Sequence, residues 1–231
     1  MVRKLIVAID GPSASGKSTT GKKLAKLLGY LYIDTGAMYR AVALAAARAG
    51  IPYEEHSRVV ELTEKIRIDL RGEAEQLKVF LDGLDITDAI RTPEISSAAS
   101  KVSAIPGVRQ TLLKRQREMG ADGGVVMDGR DIGTHVFPNA DVKFFLVADL
   151  MQRARRRNLE QAQQGHIVTF EQTLKEIEER DKRDQSRAYA PLKPAVDSII
   201  LDTSDLTPDQ VVELMLSHIK RHREYARCSP A

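Results

Sequence analysis

Short apolar runs, separated by longer stretches in which apolar residues recur at helical spacing, extend over most of the chain. Such runs are typical of strands that are buried on both faces of a parallel sheet. Because strands and helices alternate in this way, the sequence predicts an α/β fold with a five-stranded parallel sheet flanked by helices. The predicted core strands cover residues 5–9, 31–34, 125–128, 142–147 and 199–202.

Helical signals fill the intervals between these strands. The helix after the first strand carries leucines on one face and ends at Gly29, and an alanine-rich helix over about 37–49 ends at Gly50. Thr207 and Gln210 have the spacing of a capping box at the start of the last helix, with a proline at its first position. Two further helices are predicted over about 93–104 and 107–119.

Two segments depart from this alternation. In segment 66–90, apolar side chains recur at every second position, first at Ile66, Ile68 and Leu70 and then at Leu77, Val79 and Leu81. This pattern predicts an antiparallel hairpin outside the main sheet, in an inserted lobe. Segment 150–187 predicts a charged helix-turn-helix flap, with Gly165 at the bend and a capping box of Thr169 and Gln172.

The connection between the first strand and the first helix has the pattern of a phosphate-binding loop. It reads Gly11-Pro12-Ser13-Ala14-Ser15-Gly16-Lys17-Ser18-Thr19 and matches G-x-x-x-x-G-K-[ST] at every fixed position. Backbone N–H groups of such a loop, and the helix that follows it, converge on phosphate oxygens. Lys17 is expected to reach the β- and γ-phosphates, and the Ser18 hydroxyl to bind Mg²⁺. The pattern predicts a nucleoside triphosphate site; the alternative is a plain Gly/Ser-rich connector.

Bulk composition narrows the class of protein. With 231 residues, 42% of them hydrophobic and 29% charged, the chain fits one globular domain. A net charge of +3 does not by itself indicate a nucleic-acid partner, and no apolar stretch reaches the ~18 residues of a membrane span. The single cysteine, Cys228, forms no internal disulfide, so a cytoplasmic protein is expected. Since no helix shows a sustained exposed apolar seam, we expect a monomer.

The arginines near strand ends indicate which acceptor the phosphoryl group goes to. A hydroxyl acceptor needs a carboxylate base, whereas a phosphate acceptor is already ionised and needs its charge clamped by arginines. Thr35 and Arg40 follow the second strand, and Arg130 and Asp131 follow the third. Open parallel sheets bind ligands at this carboxyl edge, so these side chains are candidate acceptor ligands.

Arg180, Asp184 and Arg187 stand at i, i+4 and i+7 and share one face of the predicted flap. From spacing alone, a solvated helix face with ion pairs explains them equally well. Arg130 and Asp131 could instead form a structural ion pair that caps the turn after the third strand. Arg40 could instead be a surface cation.

A dense basic run, Arg153, Arg155, Arg156 and Arg157, opens the flap. An RNA-binding patch would need aromatic residues for base stacking, and none are adjacent. The better hypothesis is that one or two of these arginines reach the transferring phosphates when the flap closes. Which one does so is left open by the sequence, and the scattered histidines have no metal-ligand spacing.

Taken together, these segments resemble bacterial cytidylate kinases over about residues 4–217. The segments that carry the resemblance are IDGPSASGKST (9–19), YIDTGAMYRA (32–41), SAASKVSAIPGVR (97–109), MDGRDIGTHVFPNA (127–140) and ERDKRDQSRAYAPL (179–192). The resemblance implies a P-loop NTPase-type fold in a single kinase domain. Its expected parts are a core (1–35, 106–150 and 188–223), a monophosphate-binding lobe (about 36–105) and a helical lid (about 151–187).

The resemblance also implies residue roles. Ser100, Arg109 and Asp131 would read the cytosine, Arg40, Arg130 and Arg187 would hold the acceptor phosphate, and Tyr39, Arg180 and Asp184 would meet the sugar. Thr35 supplies a hydroxyl where some relatives have serine. Lys17 and Arg130 would act on the transferring group, while Asp128 would organise neighbouring arginines or the Mg²⁺ shell.

The implied activity is phosphorylation of CMP and dCMP by ATP and Mg²⁺, with in-line transfer, in pyrimidine nucleotide metabolism. No obligatory base is expected, which suits a phosphate acceptor. Two other readings stay open at this point. One is a P-loop kinase for UMP or a metabolite hydroxyl, and the other is a nucleotide-dependent switch or RNA-binding module. The sequence has neither the guanine-reading N-K-x-D motif nor an aromatic platform.

Overall fold

Strands and helices alternate along residues 4–228, which are the part of the chain that the computed structural model describes. The strands in this range are β1 (Ile6–Asp10), β2 (Leu31–Asp34), β3 (Ile68–Arg71), β4 (Lys78–Leu81), β5 (Leu84–Asp85), β6 (Val125–Gly129), β7 (Val142–Val147) and β8 (Ile199–Asp202). The α-helices are α1 (Lys17–Leu28), α2 (Thr35–Arg48), α3 (His56–Lys65), α4 (Pro93–Val102), α5 (Pro106–Gly120), α6 (Leu150–Gln163), α7 (Phe170–Ser186) and α8 (Pro208–Cys228).

The main sheet has the strand order β2-β6-β1-β7-β8, and every pairing is parallel. Its strands carry buried side chains on both faces, such as Val7 and Phe144 on one face and Ala8 and Met127 on the other, because helices cover both sides. The predicted five-stranded sheet is confirmed, with the ends of β1 and β6 shifted by one residue. Since β1 lies at the centre, its carboxyl end and the loop that follows stand in the middle of the sheet edge.

The residues before α1 and α2 at this edge of the sheet are Gly16 and Asp34, which determine where these helices begin. Gly16, with φ +90°, precedes the first residue of α1, and Gly29 ends that helix in the left-handed conformation. The Asp34 carboxylate accepts a hydrogen bond from the Ala37 N–H (3.0 Å) and caps α2. Helix α2 therefore begins at Thr35, two residues before the predicted start, and Thr35 lies directly at the end of β2.

A separate antiparallel sheet, β3-β4-β5, confirms the predicted hairpin and adds one short strand. Helix α3 was not predicted. It is short, and its apolar face consists of buried Val59 with Val60 and Leu62 packed partly buried beside it. A single π-helical turn, Ile132–Val136, follows β6 and was also not predicted.

The charged flap is formed by α6 and α7, with Gly165 in the left-handed conformation between them and the Thr169–Gln172 capping box present. The predicted box at Thr207 and Gln210 is likewise confirmed. Helix α8 runs on to Cys228, whose side chain lies outside the described part of the chain. Among residues 4–228, no helix combines the length and apolar character needed to cross a bilayer.

Candidate active site

A cleft of about 640 Å³ lies at the carboxyl edge of the main sheet. It is lined by loop and helix residues 13–20, by the end of β6, by α6 and by the start of α8. Three of the predicted acceptor residues, Arg40, Arg130 and Arg180, face the same cleft. The cleft therefore brings the phosphate loop and a cluster of guanidinium groups together.

Glycine is required where the phosphate loop leaves β1. Gly11 has φ +149°, and a Cβ there would lie 2.2 Å from the carbonyl oxygen of Leu146 on the neighbouring strand. The Lys17 Nζ donates to the carbonyl oxygen of Pro12 (2.6 Å) and to the Ser15 hydroxyl (3.3 Å). Burial, and then the nearby Arg130, hold the pKa of Lys17 well below its ordinary value. The loop thus presents to the cleft a buried ammonium group whose charged form is disfavoured by burial and by Arg130.

Ser18 and Asp128 form the acidic side of the site. The Ser18 hydroxyl donates to Asp128 Oδ2 (2.7 Å), and the Tyr32 hydroxyl donates to the same oxygen (3.1 Å). Burial, and then the neighbouring Asp34, raise the pKa of Asp128 to about 6. A hydroxyl beside carboxylate oxygens is a donor set of the kind that Mg²⁺ prefers.

Arg40 is held by Asp34, at 2.8 Å between Nη2 and Oδ2. Burial alone would raise the pKa of Asp34, but Arg40 and the capped Ala37 N–H lower it below its ordinary value. Arg40 Nε is buried and has no hydrogen-bond partner within the described chain. Because Arg40 pairs with Asp34 and its side chain is 23% exposed, the alternative of a surface cation does not describe it.

Thr35 and Tyr39 line the first turns of α2. The Thr35 hydroxyl donates to the backbone carbonyl oxygen of Asp128 (2.7 Å), which ties α2 to β6. A Cβ at Gly129 would lie 2.7 Å from that hydroxyl, so glycine permits the close approach. The Tyr39 ring lies 5.4 Å from the guanidinium carbon of Arg109, within cation–π range.

The predicted base-reading residues lie deeper than the cleft, and none of the three lines it. Arg109 and Asp131 form a buried ion pair with 2.5 Å between Nη2 and Oδ2. Arg109 also donates to the carbonyl oxygen of Ser103, whose hydroxyl donates to the carbonyl oxygen of Ser100. The Ser100 hydroxyl is itself buried and, in the part of the chain described, has no partner. These contacts bring the three residues into one polar pocket.

Asp184 is the centre of an arginine cluster. Its carboxylate accepts from Arg130 Nε (2.9 Å) and lies 3.7 Å from Arg187 Nη1. Burial would raise the pKa of Asp184, but Arg130, Arg180 and Arg187 lower it. Burial, and then Arg130, lower the pKa of Arg180 to about 10.

The partners in this cluster decide between the alternatives left open by the sequence. Asp184 is 3% exposed, so the solvated-face reading of this part of α7 is wrong. The ion pairs run from Arg130 to Asp184 and from Arg109 to Asp131, rather than between Arg130 and Asp131.

The basic run of α6 divides into residues with different roles. Arg153 is buried, pairs with Asp181 (2.5 Å) and donates to the carbonyl oxygen of Ser13. Arg155 is exposed and does not line the cleft, whereas Arg156 and Arg157 do. The two arginines that remain candidates for the transferring phosphates are therefore Arg156 and Arg157.

Some residues of the site were missed by sequence reasoning. Asp10 and Asp34 end their strands as Asp128 does, and this shared position was an available signal. The apolar wall of the cleft was also missed, because it is assembled from distant segments. It consists of Leu159, Leu206, Pro208 and Val211.

Asp10 is fully enclosed behind the phosphate loop. Its carboxylate accepts hydrogen bonds from the N–H groups of Ile132 (2.8 Å) and Gly133 (2.7 Å). Burial raises the pKa of Asp10 to about 7, and nearby Asp131 adds to this, although both N–H groups and Lys17 oppose it. The ionised carboxylate therefore carries a free-energy cost in the folded chain.

This cost gives a testable pH dependence. Because the folded pKa is raised, the folded state holds a proton that the unfolded state has released between about pH 4 and pH 7. Stability of the parent chain relative to Asp10→Asn is therefore expected to fall by roughly 2–3 kcal/mol between pH 5 and pH 8 and to level off above about pH 7. Urea unfolding of both proteins at pH 5 and pH 8 measures the difference, and a constant difference contradicts the raised pKa.

A phosphate loop at the centre of a parallel sheet, facing clustered arginines, defines the class as P-loop kinases. A model of the cytidylate kinase family matches residues 7–221. The chain belongs to the cytidylate kinase family, and ATP is its phosphoryl donor.

Two curated relatives align with nearly the whole chain at about half identity. The cytidylate kinase of Citrifermentans bemidjiense is 50% identical, with 94% of this chain and 93% of the relative covered. That of Syntrophotalea carbinolica is 48% identical, with 100% and 97% covered.

Solved structures resemble the fold at low identity. A gluconokinase from Sinorhizobium meliloti covers 98% of both chains at 17% identity, with a TM-score of 0.50. An uncharacterised protein from Eubacterium ventriosum covers 94% of this chain and 99% of its own at 12% identity, with a TM-score of 0.51. These likenesses concern the fold alone.

Proposed function

We propose that this chain transfers the γ-phosphoryl group of ATP to CMP and dCMP, giving ADP with CDP or dCDP. One observation carries the proposal: a single cleft holds the phosphate loop and the guanidinium groups of Arg40, Arg130 and Arg180. Such a cluster suits an acceptor that is itself an anion. The relatives named cytidylate kinase, at about half identity over nearly the full length, support cytidine as the base.

The donor occupies the phosphate-loop side of the cleft in this proposal. Residues 11–19 surround the triphosphate with backbone N–H groups and the N-terminus of α1. Lys17 then neutralises charge on the β- and γ-phosphates. The apolar wall formed by Leu206, Pro208 and Val211 gives the adenine ring a surface to pack on.

Mg²⁺ is part of the proposal, and the residues fit it. The Ser18 hydroxyl and an Asp128 oxygen lie 2.7 Å apart, and both are hard oxygen donors. The ion when bound neutralises charge on the phosphate oxygens. The Tyr32 hydroxyl holds Asp128 in place, and the nearby Asp34 adds a second carboxylate to its surroundings.

The acceptor occupies the arginine side. Arg40, Arg130 and Arg187 hold its phosphate, and Asp184, with Arg180 and Tyr39, meets the sugar. Cytosine offers carbonyl and ring-nitrogen acceptors and an amino donor, which a set of arginine, carboxylate and hydroxyl can match. Ser100, Arg109 and Asp131 form such a set. Uracil would present an acceptor where a carboxylate expects a donor, so a mismatch there is costly.

Positioning and charge neutralisation carry the catalysis, with an in-line geometry and no side chain as an obligatory base. We propose that segment 36–105 acts as the monophosphate-binding lobe and segment 151–187 as the lid, both attached to the core. Arg156 and Arg157 are the lid residues proposed to approach the transferring group when the lid closes. We further propose a cytoplasmic monomer that binds small nucleotides and neither nucleic acid nor membrane.

The activity is tested with a coupled ADP-release assay in which CMP, dCMP, UMP and AMP are offered in parallel with ATP and Mg²⁺. Turnover is expected with CMP and dCMP at a higher kcat/KM than with UMP or AMP. Equal turnover with every monophosphate contradicts the proposed base recognition. ATP hydrolysis that ignores all four contradicts the proposed kinase reaction and favours a switch.

Ser100→Ala gives a sharp test of base recognition, because the hydroxyl has no partner to lose in the chain described. The melting temperature is expected to be unchanged, while kcat/KM for CMP falls about ten-fold, the value of one hydrogen bond in a buried site. The KM for ATP is expected to change by less than about two-fold, because Ser100 does not line the cleft that holds the phosphate loop.

Ser97→Ala is the matched control, since Ser97 lies on the same helix but, unlike Ser100, is only partly buried. It should leave both kinetic constants unchanged. Equal effects of the two substitutions, or a normal kcat/KM for CMP in Ser100→Ala, exclude a role for Ser100 in reading the base.

A further inference from the structure

Asp10 connects two parts of the site that the proposed function assigns to different nucleotides. It is the last residue of β1, and the phosphate loop begins at the next residue. Its carboxylate reaches across to the turn after β6, where Oδ1 accepts from Ile132 N–H and Oδ2 from Gly133 N–H. Asp10 is 4% exposed and does not line the cleft, so it does not itself touch a nucleotide there.

The turn that Asp10 holds, Ile132–Val136, sets the backbone conformation of the residue just before it. Ile132 and Gly133 open the π-helical turn, and the first N–H groups of any helical turn lack partners within it. Asp10 supplies both missing acceptors. Asp131, the residue before the turn, is thereby fixed in a backbone conformation (φ −145°, ψ 24°) in which its carboxylate pairs with Arg109.

Gly133 lies in a narrow space between the Asp10 carboxylate and the Lys143 side chain. A Cβ at this position would lie 3.4 Å from Asp10 Oδ2 and 3.1 Å from the Cδ atom of Lys143. The side chain of Lys143 is itself fixed by Pro138 and Asp197. The turn is therefore clamped between Asp10 on one side and Lys143 on the other, and loss of either support allows it to shift.

We propose that Asp10 is a positioning residue that fixes Asp131, and through it Arg109, so that the acceptor base is discriminated. Asp10 would thus determine acceptor specificity from behind the phosphate loop. This inference rests on the proposed function, because it assumes that Asp131 and Arg109 read the base.

The test is Asp10→Asn, which keeps the shape and one acceptor oxygen but places an amide donor against the second backbone N–H. The ratio of kcat/KM for CMP to that for UMP is expected to fall about ten-fold, mostly through a higher KM for CMP, while the KM for ATP changes by less than about two-fold. If Asp10 only stabilised the fold, Asp10→Asn would leave the CMP-to-UMP ratio of kcat/KM unchanged and would not raise the KM for CMP selectively.

Asp141→Asn is the matched control. The Asp141 carboxylate also accepts a backbone N–H of β1, that of Ile6 (2.8 Å), but at the opposite end of the strand. It is expected to leave the CMP-to-UMP ratio unchanged. Gly133→Ala would place a Cβ 3.1 Å from Lys143 Cδ and press on the turn from its other side. It is expected to lower the ratio in the same direction, which provides a second variant if Asp10→Asn folds poorly.

The outcomes separate the two proposals. If the parent chain phosphorylates CMP and the Asp10 and Gly133 variants keep the parental CMP-to-UMP ratio, the inference is overturned and the proposed function stands. A larger change in the KM for ATP than in that for CMP also overturns it, since Asp10 would then support the phosphate loop instead. If the parent chain does not phosphorylate CMP, both proposals fail.

Discussion

Replacing Lys17 by methionine is expected to lower kcat with CMP by about 10²–10³-fold, the usual loss when one preorganised charge at a transition state is removed. The Lys17 ammonium lies at the base of the cleft, held by Pro12 and Ser15, where it faces the phosphate positions of the proposed ATP site. Steady-state ADP release at saturating ATP and CMP measures the effect.

The same substitution is expected to leave the fold intact. Burial and the neighbouring Arg130 already disfavour the charged form of Lys17, as its lowered pKa indicates. Methionine fills the space of the aliphatic stem without a buried charge, so the melting temperature should stay equal to or above that of the parent chain.

Lys23→Met on the same helix is the matched control, because Lys23 is exposed and pairs with Asp209 away from the cleft. It should leave kcat unchanged. A kcat in Lys17→Met within a factor of about ten of the parent value would contradict the role given to Lys17, since that is less than one preorganised charge contributes.

The main sheet was predictable because its strands are continuous apolar runs bounded by turn residues. The run at 199–202 matches β8 at both ends, and the glycines at 29 and 50 mark helix ends as expected. Helix α3 was missed because it lies half exposed on the inserted lobe and buries few side chains. A helix of ten residues is marginal by itself, so the packing of its apolar face on the lobe stabilises it.

The candidate site was predictable one segment at a time, but its pairings were not. Arg130 and Asp131 are neighbours in sequence, yet each pairs with a partner from a distant segment, Asp184 and Arg109 respectively. Spacing on one helix could not separate a solvated face from a buried cluster, because the deciding partner, Arg130, follows β6 in a distant segment. The burial of Asp10 could not be predicted either, because a polar residue at the end of a strand gives the same sequence pattern whether it is exposed or buried.

Asp184→Asn is expected to lower the free energy of unfolding by about 3–5 kcal/mol, as for other buried ion pairs that lose one partner. Three arginines, Arg130, Arg180 and Arg187, lower the pKa of this carboxyl, and without its charge they repel one another. For a chain of this size the loss corresponds to a fall in melting temperature of roughly 6–20 °C. Calorimetry and urea unfolding at pH 7 measure it.

Glu179→Gln is the matched control, because it removes one negative charge from an exposed position of the same helix. It is expected to shift stability by no more than about 0.5 kcal/mol. An equal loss in both variants would indicate a general charge effect on α7 and contradict a central role for Asp184.

The loss in Asp184→Asn should also become smaller in acid. The folded pKa of Asp184 is lowered, so its stabilisation is present above the ordinary value of 3.8 and is lost as pH falls through the lower folded value. Below that point the parent carboxyl is protonated and resembles asparagine in charge. Urea unfolding at pH 7 and pH 3 is therefore expected to give a smaller difference between the two proteins at pH 3 than at pH 7, because the stabilisation begins to decline below 3.8. A difference of the same size at both pH values would mean that Asp184 stabilises the fold through packing rather than through its charge.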